Sequence, residues 1–460
     1  MRHSTGEAGN DRGGKAATQQ RLIKGNICHT GGEEQMATRF EKIAELVRKH
    51  PAGKLSTLVH HINVTTLEES YRELSRNKAA GVDGMNKEEY GMHLNDNLMK
   101  LMESMKKQAY KPQPVKRVYI PKDGSDKMRP LGIPAFEDKL VQNVISGILN
   151  EVYEPIFLDV SYGFRQGKSC HDALRALNDI IVTGKVNYIV DADIKGFFDN
   201  VDHEWIMRML KHRISDTNLL RLIKRFLIAG IMEQGKWEES EKGTPQGGLI
   251  SPILANVYLH YALDLWFEIV VKRECRGEAY FIRYADDFVC CFQYRDDAEM
   301  FYASLKARLA KFKLEIAGEK SKIIEFGRFA DKPDTFNFLG FTHYCSKSKS
   351  GKFRVKRITS KGKLKSKLKK IKGWMRENIS KPVIELIKEL NVKLDGHYNY
   401  YGITDNALGI NKYAYVVRRA LFRHINRRRQ GKPCNFLVFE RLMAKYPIRP
   451  PNIRVSIFHA

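Results

Sequence analysis

The sequence predicts an α+β fold in which strand hairpins alternate with amphipathic helices. Two segments rich in β-branched and aromatic residues, 116–134 and 280–292, each predict an antiparallel hairpin. Apolar residues at three- and four-residue spacing predict helices around them, including one over 136–153 and several in the last third of the chain. With 460 residues, the chain is long enough for about three structural units.

The charge of the chain indicates a polyanionic partner. The formal net charge is +26, and residues 341–460 contribute +23 of it, with 29 Lys and Arg against 6 Asp and Glu. A basic surface of this size is typical of nucleic-acid binding. An anionic membrane surface is the competing partner, but the sequence has no run of 18 apolar residues and no strongly amphipathic basic and aromatic helix. Nucleic acid is therefore the predicted partner.

The cysteines and the amino terminus predict a reducing, cytoplasmic environment. The seven Cys residues have no regular spacing and form no Cys-x-x-Cys pair, which argues against disulfides and a structural zinc site. Residues 1–36 are rich in Gly and polar residues, have no apolar period and lack the core of a signal peptide. We expect them to form a disordered tail.

The hairpin over 280–292 carries two adjacent acids at its tip, Asp286 and Asp287. Carboxylates next to buried strands are costly unless a cation compensates them, and oxygen ligands favour a divalent metal. A solvated turn is the alternative, because Asp is a common turn residue. These two residues alone leave both interpretations open.

A second group of acids lies in and after a predicted strand that includes Tyr188 and ends at Lys195-Gly196. Alternation places Asp191 and Asp193 on the face opposite Val190, and Asp193 lies at the strand end. Asp202 precedes a helical run and is predicted to be its N-cap.

The hairpin over 116–134 places two cations, Lys122 and Arg129, on either side of its turn. Such a pair can clamp a phosphate group, Arg through a fork of donors and Lys as a point charge. The alternative is a pair of solvated surface cations.

Two further loops precede helices. Arg165 and Lys168 lie in a Gly-containing basic loop, which fits either backbone approach to a phosphate or a simple turn. Gln246 lies before two glycines and a helix for which Ser251 is the predicted N-cap and Pro252 the first residue. The two glycines fit a loop that a ligand approaches closely, and they also fit a loop that is simply flexible, so the sequence leaves both interpretations open.

The order of these motifs resembles the fingers and palm of reverse transcriptases, and most closely the group II intron-encoded reverse transcriptases, or maturases. The resemblance covers residues 39–341. It rests on the segments NKAAGVDG, MRPLGIP, SYGFRQGKS, DADIKGFFDNVDH, GTPQGGLISPILANVYL, YADDFV, GEKSKI and FNFLGF. It implies a right-hand polymerase with fingers, a palm of antiparallel sheet and helices, and a helical thumb.

The resemblance also implies a metal site. Asp193 and Asp286 are similar to carboxylates that bridge two Mg²⁺ ions, which Mn²⁺ can replace, with the Ile194 carbonyl as a further ligand. Asp287 is similar to the acid beside them, and we expect it to act more by its charge than by bridging.

A nucleotide site follows from the same resemblance. Lys122 and Arg129 are similar to residues that hold the triphosphate of the incoming dNTP, and Gln246 to a loop residue that contacts nucleotide or template. Phe198 is similar to the bulky residue that excludes a ribose 2′-hydroxyl. Lys320 is similar to a lysine that protonates pyrophosphate, although a surface lysine is the alternative.

The basic third of the chain is predicted to bind RNA. Within residues 360–375, an apolar stripe is formed by Leu364, Leu368, Ile371 and Met375, and Lys covers the remaining faces. The basic density continues further along the chain, interleaved with Tyr413, Tyr415 and Phe422. Residues 394–406 resemble the maturase-specific domain of the family. The candidate nucleic-acid contacts, including the basic loop, are Arg165, Lys168, Lys363, Lys367, Lys370, Arg419, Arg423, Arg427 and Arg428.

The predicted organisation divides the chain into five parts. They are a tail (1–36), an amino-terminal extension with fingers (37–180), a palm (181–341), a thumb or maturase domain (342–435) and a basic extension (436–460). Fingers and palm interleave, and the reverse-transcriptase domain spans about 77–341. Residues 436–460 are too few for the endonuclease domain of longer relatives.

The predicted function is RNA-directed DNA synthesis together with maturase action on a group II intron RNA, in a cytoplasmic ribonucleoprotein. The expected partners are the intron RNA, an RNA template with its primer, target DNA and dNTPs, with no membrane. One alternative is an RNA-binding splicing factor with vestigial polymerase activity. Another is a reverse transcriptase of a defence or CRISPR-associated system.

Overall fold

The computed structural model describes residues 33–76, 78–121, 128–244, 247–319, 321–427 and 434–458, with side chains from residue 40. The predicted α+β class is confirmed: three sheets are set among helices, and the last third of the chain is mainly helical.

The fingers contain five helices and the first hairpin. The helices α1 to α5 are Glu33–Lys49, Val64–Glu73, Lys87–Gly91, Leu94–Lys106 and Phe136–Tyr153, and the strands β1 and β2 are Val115–Pro121 and Met128–Ile133. The predicted hairpin over 116–134 is confirmed, since β1 and β2 pair antiparallel and Pro121 lies opposite Met128. The helix predicted over 136–153 is α5, whose apolar residues are almost all buried.

The palm contains the second sheet and its supporting helices. Its helices α6 to α11 are Cys170–Thr183, His203–Leu210, Thr217–Leu227, Ser251–Leu259, Lys272–Glu274 and Arg295–Lys311. Its strands β3 to β8 are Tyr188–Asp193, Ile231–Glu233, Lys236–Glu238, Ala279–Tyr284, Asp287–Phe292 and Lys322–Glu325. The palm sheet has the order β6-β7-β3-β8, while β4 and β5 extend the finger sheet as β2-β1-β4-β5.

The two faces of the palm sheet belong to two hydrophobic cores. Val190 and Phe288 point into a core shared with α5, α7, α8 and α9. Ile189 and Val289 point into a second core shared with α6 and the thumb. Since side chains alternate along a strand, Asp191 and Asp193 lie on the face of the second core. This confirms the alternation predicted from the sequence.

The long palm helix differs from the prediction by one residue at its start. Ile250 occupies the N-cap position without a side-chain hydrogen bond, and Ser251, the predicted N-cap, is the first helical residue. Pro252 lies in the first turn, where its missing N–H costs no hydrogen bond. The prediction for Asp202 is confirmed, since its carboxylate accepts from the Trp205 N–H at 2.9 Å.

The same helix continues through two wide turns, His260–Asp264 and Phe267–Val271, into α10. The whole segment, 251–274, is long and apolar enough to cross a membrane by composition. However, 67% of its most apolar window is buried inside the protein. Its apolar character is therefore that of a core helix of the palm.

The thumb begins with a three-stranded sheet and continues as a helical bundle. The strands β9 to β11 are Phe336–Phe338, Phe341–Lys347 and Phe353–Thr359, and the helices α12 to α15 are Lys361–Glu377, Val383–Tyr401, Ala407–Arg427 and Phe436–Lys445. Residues 436–458 pack back onto this bundle, because Phe439, Met443 and Ile457 are buried in the second core. Val455 also forms a parallel bridge with Ile403.

Candidate active site and nucleic-acid interface

The antiparallel pairing of β3 with β7 brings the two groups of acids together. Asp193, the last residue of β3, lies directly opposite Asp287, the first residue of β7. Directly opposed residues in such a pair have Cα atoms about 4.5 to 5.5 Å apart and side chains on the same face. Both carboxylates therefore stand at one end of the face that points towards the thumb.

Asp286 lies at the tip of the hairpin that joins β6 to β7, where Tyr284 pairs with Asp287. The two-residue turn is made by Ala285, whose φ of 58° is in the left-handed region, and Asp286. Burial raises the pKa of Asp286; its own backbone N–H lowers it, Asp193 raises it and Arg129 lowers it. The two metal-ligand candidates are therefore close enough to repel each other.

The Ile194 carbonyl has the direction that a shared ligand needs. Ile194 lies opposite Ile316 in an antiparallel bridge whose hydrogen bonds are made by neighbouring residues. The Lys195 N–H donates to the Glu315 carbonyl and the Ala317 N–H donates to the Asp193 carbonyl, each at 2.8 Å. Since successive peptide groups of a strand point in opposite directions, the Ile194 carbonyl points to the β7 side. That is the side on which Asp286 lies.

Asp287 lies on the floor of an open cleft. Its side chain is exposed, yet its pKa is raised to about 7: the surrounding protein, Asp191, Asp286 and Asp193 raise it, while Lys363 lowers it. Burial likewise raises the pKa of Asp191 to about 6, against the charge of Lys322. The cleft therefore concentrates negative charge, which a bound cation would compensate.

The donor set fits Mg²⁺. Among the residues that the structure describes, no group of three or more His, Cys, Asp or Glu side chains forms a complete metal site. The candidate donors here are two carboxylates, Asp193 and Asp286, and one main-chain carbonyl. Mg²⁺ is typically bound in this way, through one or two carboxylates, with water and substrate phosphates completing the octahedron.

Of the two cations predicted on the finger hairpin, Arg129 is among the residues that the structure describes. Arg129, in β2, is exposed and close enough to lower the pKa of Asp286. The predicted nucleotide contacts Lys122, Gln246 and Lys320 lie outside the described residues.

Phe198 lies where the fingers meet the palm. It belongs to a short 3₁₀ turn, Phe197–Asp199, that follows β3, and its carbonyl accepts from the Thr244 N–H at 2.8 Å. The half-buried ring lines a cavity of about 90 Å³ together with Arg117 and Pro130 of the finger hairpin. Phe198 therefore borders a space between the finger hairpin and the segment 240–244.

The basic loop before α6 is held by internal contacts. Arg165 is 8% exposed and donates to Glu154, to the Leu158 carbonyl at 2.7 Å and to the Ser161 carbonyl at 2.8 Å. Contact between Arg165 and RNA would require it to leave these partners. Lys168 is more accessible and pairs with an exposed carboxylate, Asp159, at 2.9 Å.

The predicted RNA-binding residues of the thumb are on its surface. On α12, Lys363 and Lys370 are exposed and Lys367 is half-buried; on α14, Arg419, Arg423 and Arg427 are exposed, and Arg428 lies outside the described residues. Of the aromatic residues between them, Tyr415 is 60% exposed and Arg419 lies 5.6 Å above its ring. Tyr413 is buried at 3% and stacks on His397, so it belongs to the core.

Two features of the site were not found from the sequence. Lys363 approaches Asp287 from the thumb, although more than seventy residues separate them. Arg283 is wholly buried behind the turn of Ala285 and Asp286, which we call the catalytic turn. There it pairs with Asp264. An Arg in the middle of a buried strand is a usable signal, because a buried cation requires an anionic partner.

Comparison with known proteins matches two families to consecutive parts of the chain. Residues 120–343 match the reverse transcriptases (RNA-dependent DNA polymerases), and residues 364–443 match the group II intron maturase-specific domain. The match to the second family confirms the resemblance seen in residues 394–406.

Individual relatives point the same way. The group II intron-encoded protein LtrA of Lactococcus lactis subsp. cremoris is 31% identical, covering 79% of this chain and 73% of the relative. Protein YkfC of Escherichia coli (strain K12) is 30% identical over 68% of this chain and 90% of its own length. An uncharacterized 91 kDa protein in the cob intron of Schizosaccharomyces pombe is 35% identical over 54% of this chain and 30% of its own length.

Proposed function

This chain belongs to the group II intron-encoded reverse transcriptases with a maturase-specific domain, and from this premise we propose how its site works. As an RNA-directed DNA polymerase it joins a dNTP to the 3′-hydroxyl of a primer on an RNA template. We propose that Asp193, Asp286 and the Ile194 carbonyl hold two Mg²⁺ ions, which Mn²⁺ can replace. The convergence of Asp193, Asp286 and Asp287 at one end of the palm sheet carries this proposal.

The proposed chemistry is an in-line displacement at the α-phosphate of the dNTP. Metal ions held by Asp193, Asp286 and the Ile194 carbonyl would lower the pKa of the attacking hydroxyl and would neutralise the charge of the leaving pyrophosphate. Asp193 ends β3 and Asp286 lies in the turn that precedes β7, so the pairing of these two strands sets the spacing of the two acids before substrate binds. Asp287 adds negative charge beside them and strengthens the attraction for cations.

In this proposal, residues of both the fingers and the palm contact the nucleotide. Arg129, on the finger side, is close enough to lower the pKa of Asp286 and can hold phosphate oxygens, and Lys122, Gln246 and Lys320 complete the proposed contacts. Phe198 restricts the space beside the sugar and thereby favours dNTP over NTP.

The thumb supplies the proposed RNA-binding surface. The cations of α12 and α14 face outward, and Lys363 extends this surface to the catalytic cleft, close to Asp287. Cations for phosphates together with exposed Tyr415 for base stacking fit structured RNA. We propose that this surface binds the group II intron RNA, and that the ribonucleoprotein acts on target DNA in the cytoplasm.

The test is primer extension by the double variant Asp286→Asn with Asp287→Asn. With an RNA template, dNTPs and Mg²⁺, we expect no cDNA, because the metal site loses two of its charges, while the affinity for intron RNA is retained. Asp96→Asn, which removes an exposed acid on α4, is the matched control and should leave both activities unchanged. Loss of RNA binding with retained synthesis would contradict the proposal. Wild-type protein that binds RNA but makes no cDNA would favour the splicing-factor alternative.

A further inference from the structure

Behind the catalytic turn lies a buried guanidinium whose five N–H donors are all used. Arg283, in β6, is 0% exposed, and so is its carboxylate partner Asp264. Nε and Nη2 of Arg283 donate to the two oxygens of Asp264 at 2.7 and 2.6 Å. Nη1 donates to Asn256 Oδ1 and to the Ala285 carbonyl, both at 3.0 Å, and Nη2 donates to Ser161 Oγ at 2.8 Å. One side chain thus joins the long palm helix, the loop before α6 and the catalytic turn.

The shape of the long helix is adapted to this guanidinium. Asn256 and Asp264 are eight residues apart, which in a regular α-helix would place them about 80° apart around the axis. The wide turn His260–Asp264 takes up an extra residue and brings the two side chains onto one face. Both can therefore reach Arg283, which gives the interruption of the α-helix a physical reason.

The turn itself is held from two sides. Ala285 adopts the left-handed conformation, which is unfavourable for a residue with a Cβ, and its carbonyl accepts from Arg283. On the other side Gly163 packs backbone against backbone, since a Cβ at this position would lie 2.2 Å from the Ala285 nitrogen. Asn256 Nδ2 in turn donates to the Gly163 carbonyl at 2.8 Å.

We propose that Arg283 is a positioning residue for catalysis: paired with Asp264 and attached to Asn256 and Ser161, it fixes the Ala285 carbonyl and thereby the direction of the Asp286 carboxylate. A buried ion pair contributes little net stability compared with apolar residues of the same volume, so its use here points to a need for orientation. The inference rests on the proposed function, because it requires Asp286 to be a metal ligand.

The test is Arg283→Lys in the full chain. Lys keeps the charge, but its three donors on a single nitrogen cannot reproduce the fork that reaches four partners. The probe is Mn²⁺, titrated by electron paramagnetic resonance into the complex with an RNA template and a primer that lacks its 3′-hydroxyl. We expect Mn²⁺ binding about tenfold weaker. With an unmodified primer, the single-turnover rate should be on the order of tenfold to a hundredfold lower, because a misplacement of about 1 Å can cost about a hundredfold. RNA affinity should be unchanged.

The matched control is Arg357→Lys. Arg357 is also 0% exposed and is bound to Asn178 and the Val355 carbonyl, away from the catalytic turn. This variant should lower the melting temperature without weakening Mn²⁺ binding. If Arg283→Lys behaves in the same way, Arg283 has a structural role only and the inference is wrong.

Two further variants keep the outcome decisive. If Arg283→Lys does not fold, Ser161→Ala removes a single acceptor from the same guanidinium and should weaken Mn²⁺ binding in the same direction; unchanged binding would overturn the inference. Asp286→Asn distinguishes a failure of the proposed metal site from a failure of the proposed positioning role of Arg283. If it leaves Mn²⁺ binding at the wild-type level, the proposed metal site itself is wrong, whereas weakened binding here with normal binding in Arg283→Lys refutes the positioning role alone.

Discussion

The carboxylates of the catalytic cleft differ in their surroundings, and this difference predicts unequal roles. Asp286 lies in the turn, on the side to which the Ile194 carbonyl points. Asp287 begins β7 with an exposed side chain, yet the surrounding protein and three neighbouring carboxylates raise its pKa to about 7. A carboxyl group with this pKa is about half protonated at neutral pH, so we expect it to be the weaker ligand of the two.

We therefore expect Asp287→Asn to reduce cDNA synthesis less than Asp286→Asn. The difference should be at least about tenfold in single-turnover rate, which corresponds to about 1.4 kcal/mol of activation free energy. Rates are measured with saturating Mg²⁺ and dNTP, and intron RNA binding serves as the control for folding. Equal losses in the two variants would show that both acids bridge the metals.

Phe198 gives a second prediction at the scale of a single residue. Phe198→Ala enlarges the cavity between the finger hairpin and the palm, where the wild-type ring limits the space. We expect the preference for dNTP over NTP to fall by about tenfold or more, because a steric pocket discriminates through the atoms that fill it. The catalytic efficiencies with dNTP and with NTP are measured on the same template, and dNTP incorporation serves as the internal control. An unchanged ratio would place the sugar elsewhere.

At the scale of elements, the first helix of the thumb reaches into the palm. Lys363 lies in the first turn of α12, and its Cγ would be 3.8 Å from a Cβ on Gly340, in the turn between β9 and β10. From there its charge lowers the pKa of Asp287. Thumb and palm are therefore electrostatically coupled at the cleft in which the primer end must lie.

Removing this charge should shift the pH dependence of synthesis. In Lys363→Ala the pKa of Asp287 rises further above its usual range, so the acid limb of the pH–rate profile should move to higher pH. Lys369→Ala is the matched control, because Lys369 is exposed on the same helix and is not among the residues that shift the pKa of Asp287 most. A shift of equal size in both variants would indicate a general effect of net charge.

At the scale of the whole molecule, the cleft makes stability depend on pH and on metal. The pKa values of Asp287 and Asp191 are raised to about 7 and about 6, whereas Asp in an unfolded chain titrates near about 3.9. The folded protein thus binds these protons more tightly than the unfolded chain. Their contribution to stability is complete below about pH 4 and is lost as pH rises through 6 to 7.

Mg²⁺ should reverse this loss. We expect added Mg²⁺ to raise the melting temperature clearly at pH 8 and little at pH 5.5, because protons and metal compete for the same oxygens. The double variant Asp286→Asn with Asp287→Asn should respond weakly at both pH values. A response of equal size at pH 5.5 and pH 8 would place the stabilising ion outside the cleft. Thermal unfolding followed by circular dichroism is the measurement.

The sequence alone determined the local elements and the chemical identity of the site. The hairpins, the helix Phe136–Tyr153 and the faces of β3 follow from backbone preferences and from the periodicity of burial, which act over a few residues. The order of motifs identified the family, and the comparisons confirm it. Asp193 and Asp286 could be named as ligands because their motifs are short and contiguous.

Only the tertiary structure decided which distant residues meet. The register of β3 with β7 places Asp193 opposite Asp287, and docking of the thumb brings Lys363 to the same cleft. The wide turn of the long helix and the inward position of Arg165 likewise depend on partners far along the chain. No local pattern specifies such contacts, because the free energy of a buried charge is set by the atoms that surround it after folding.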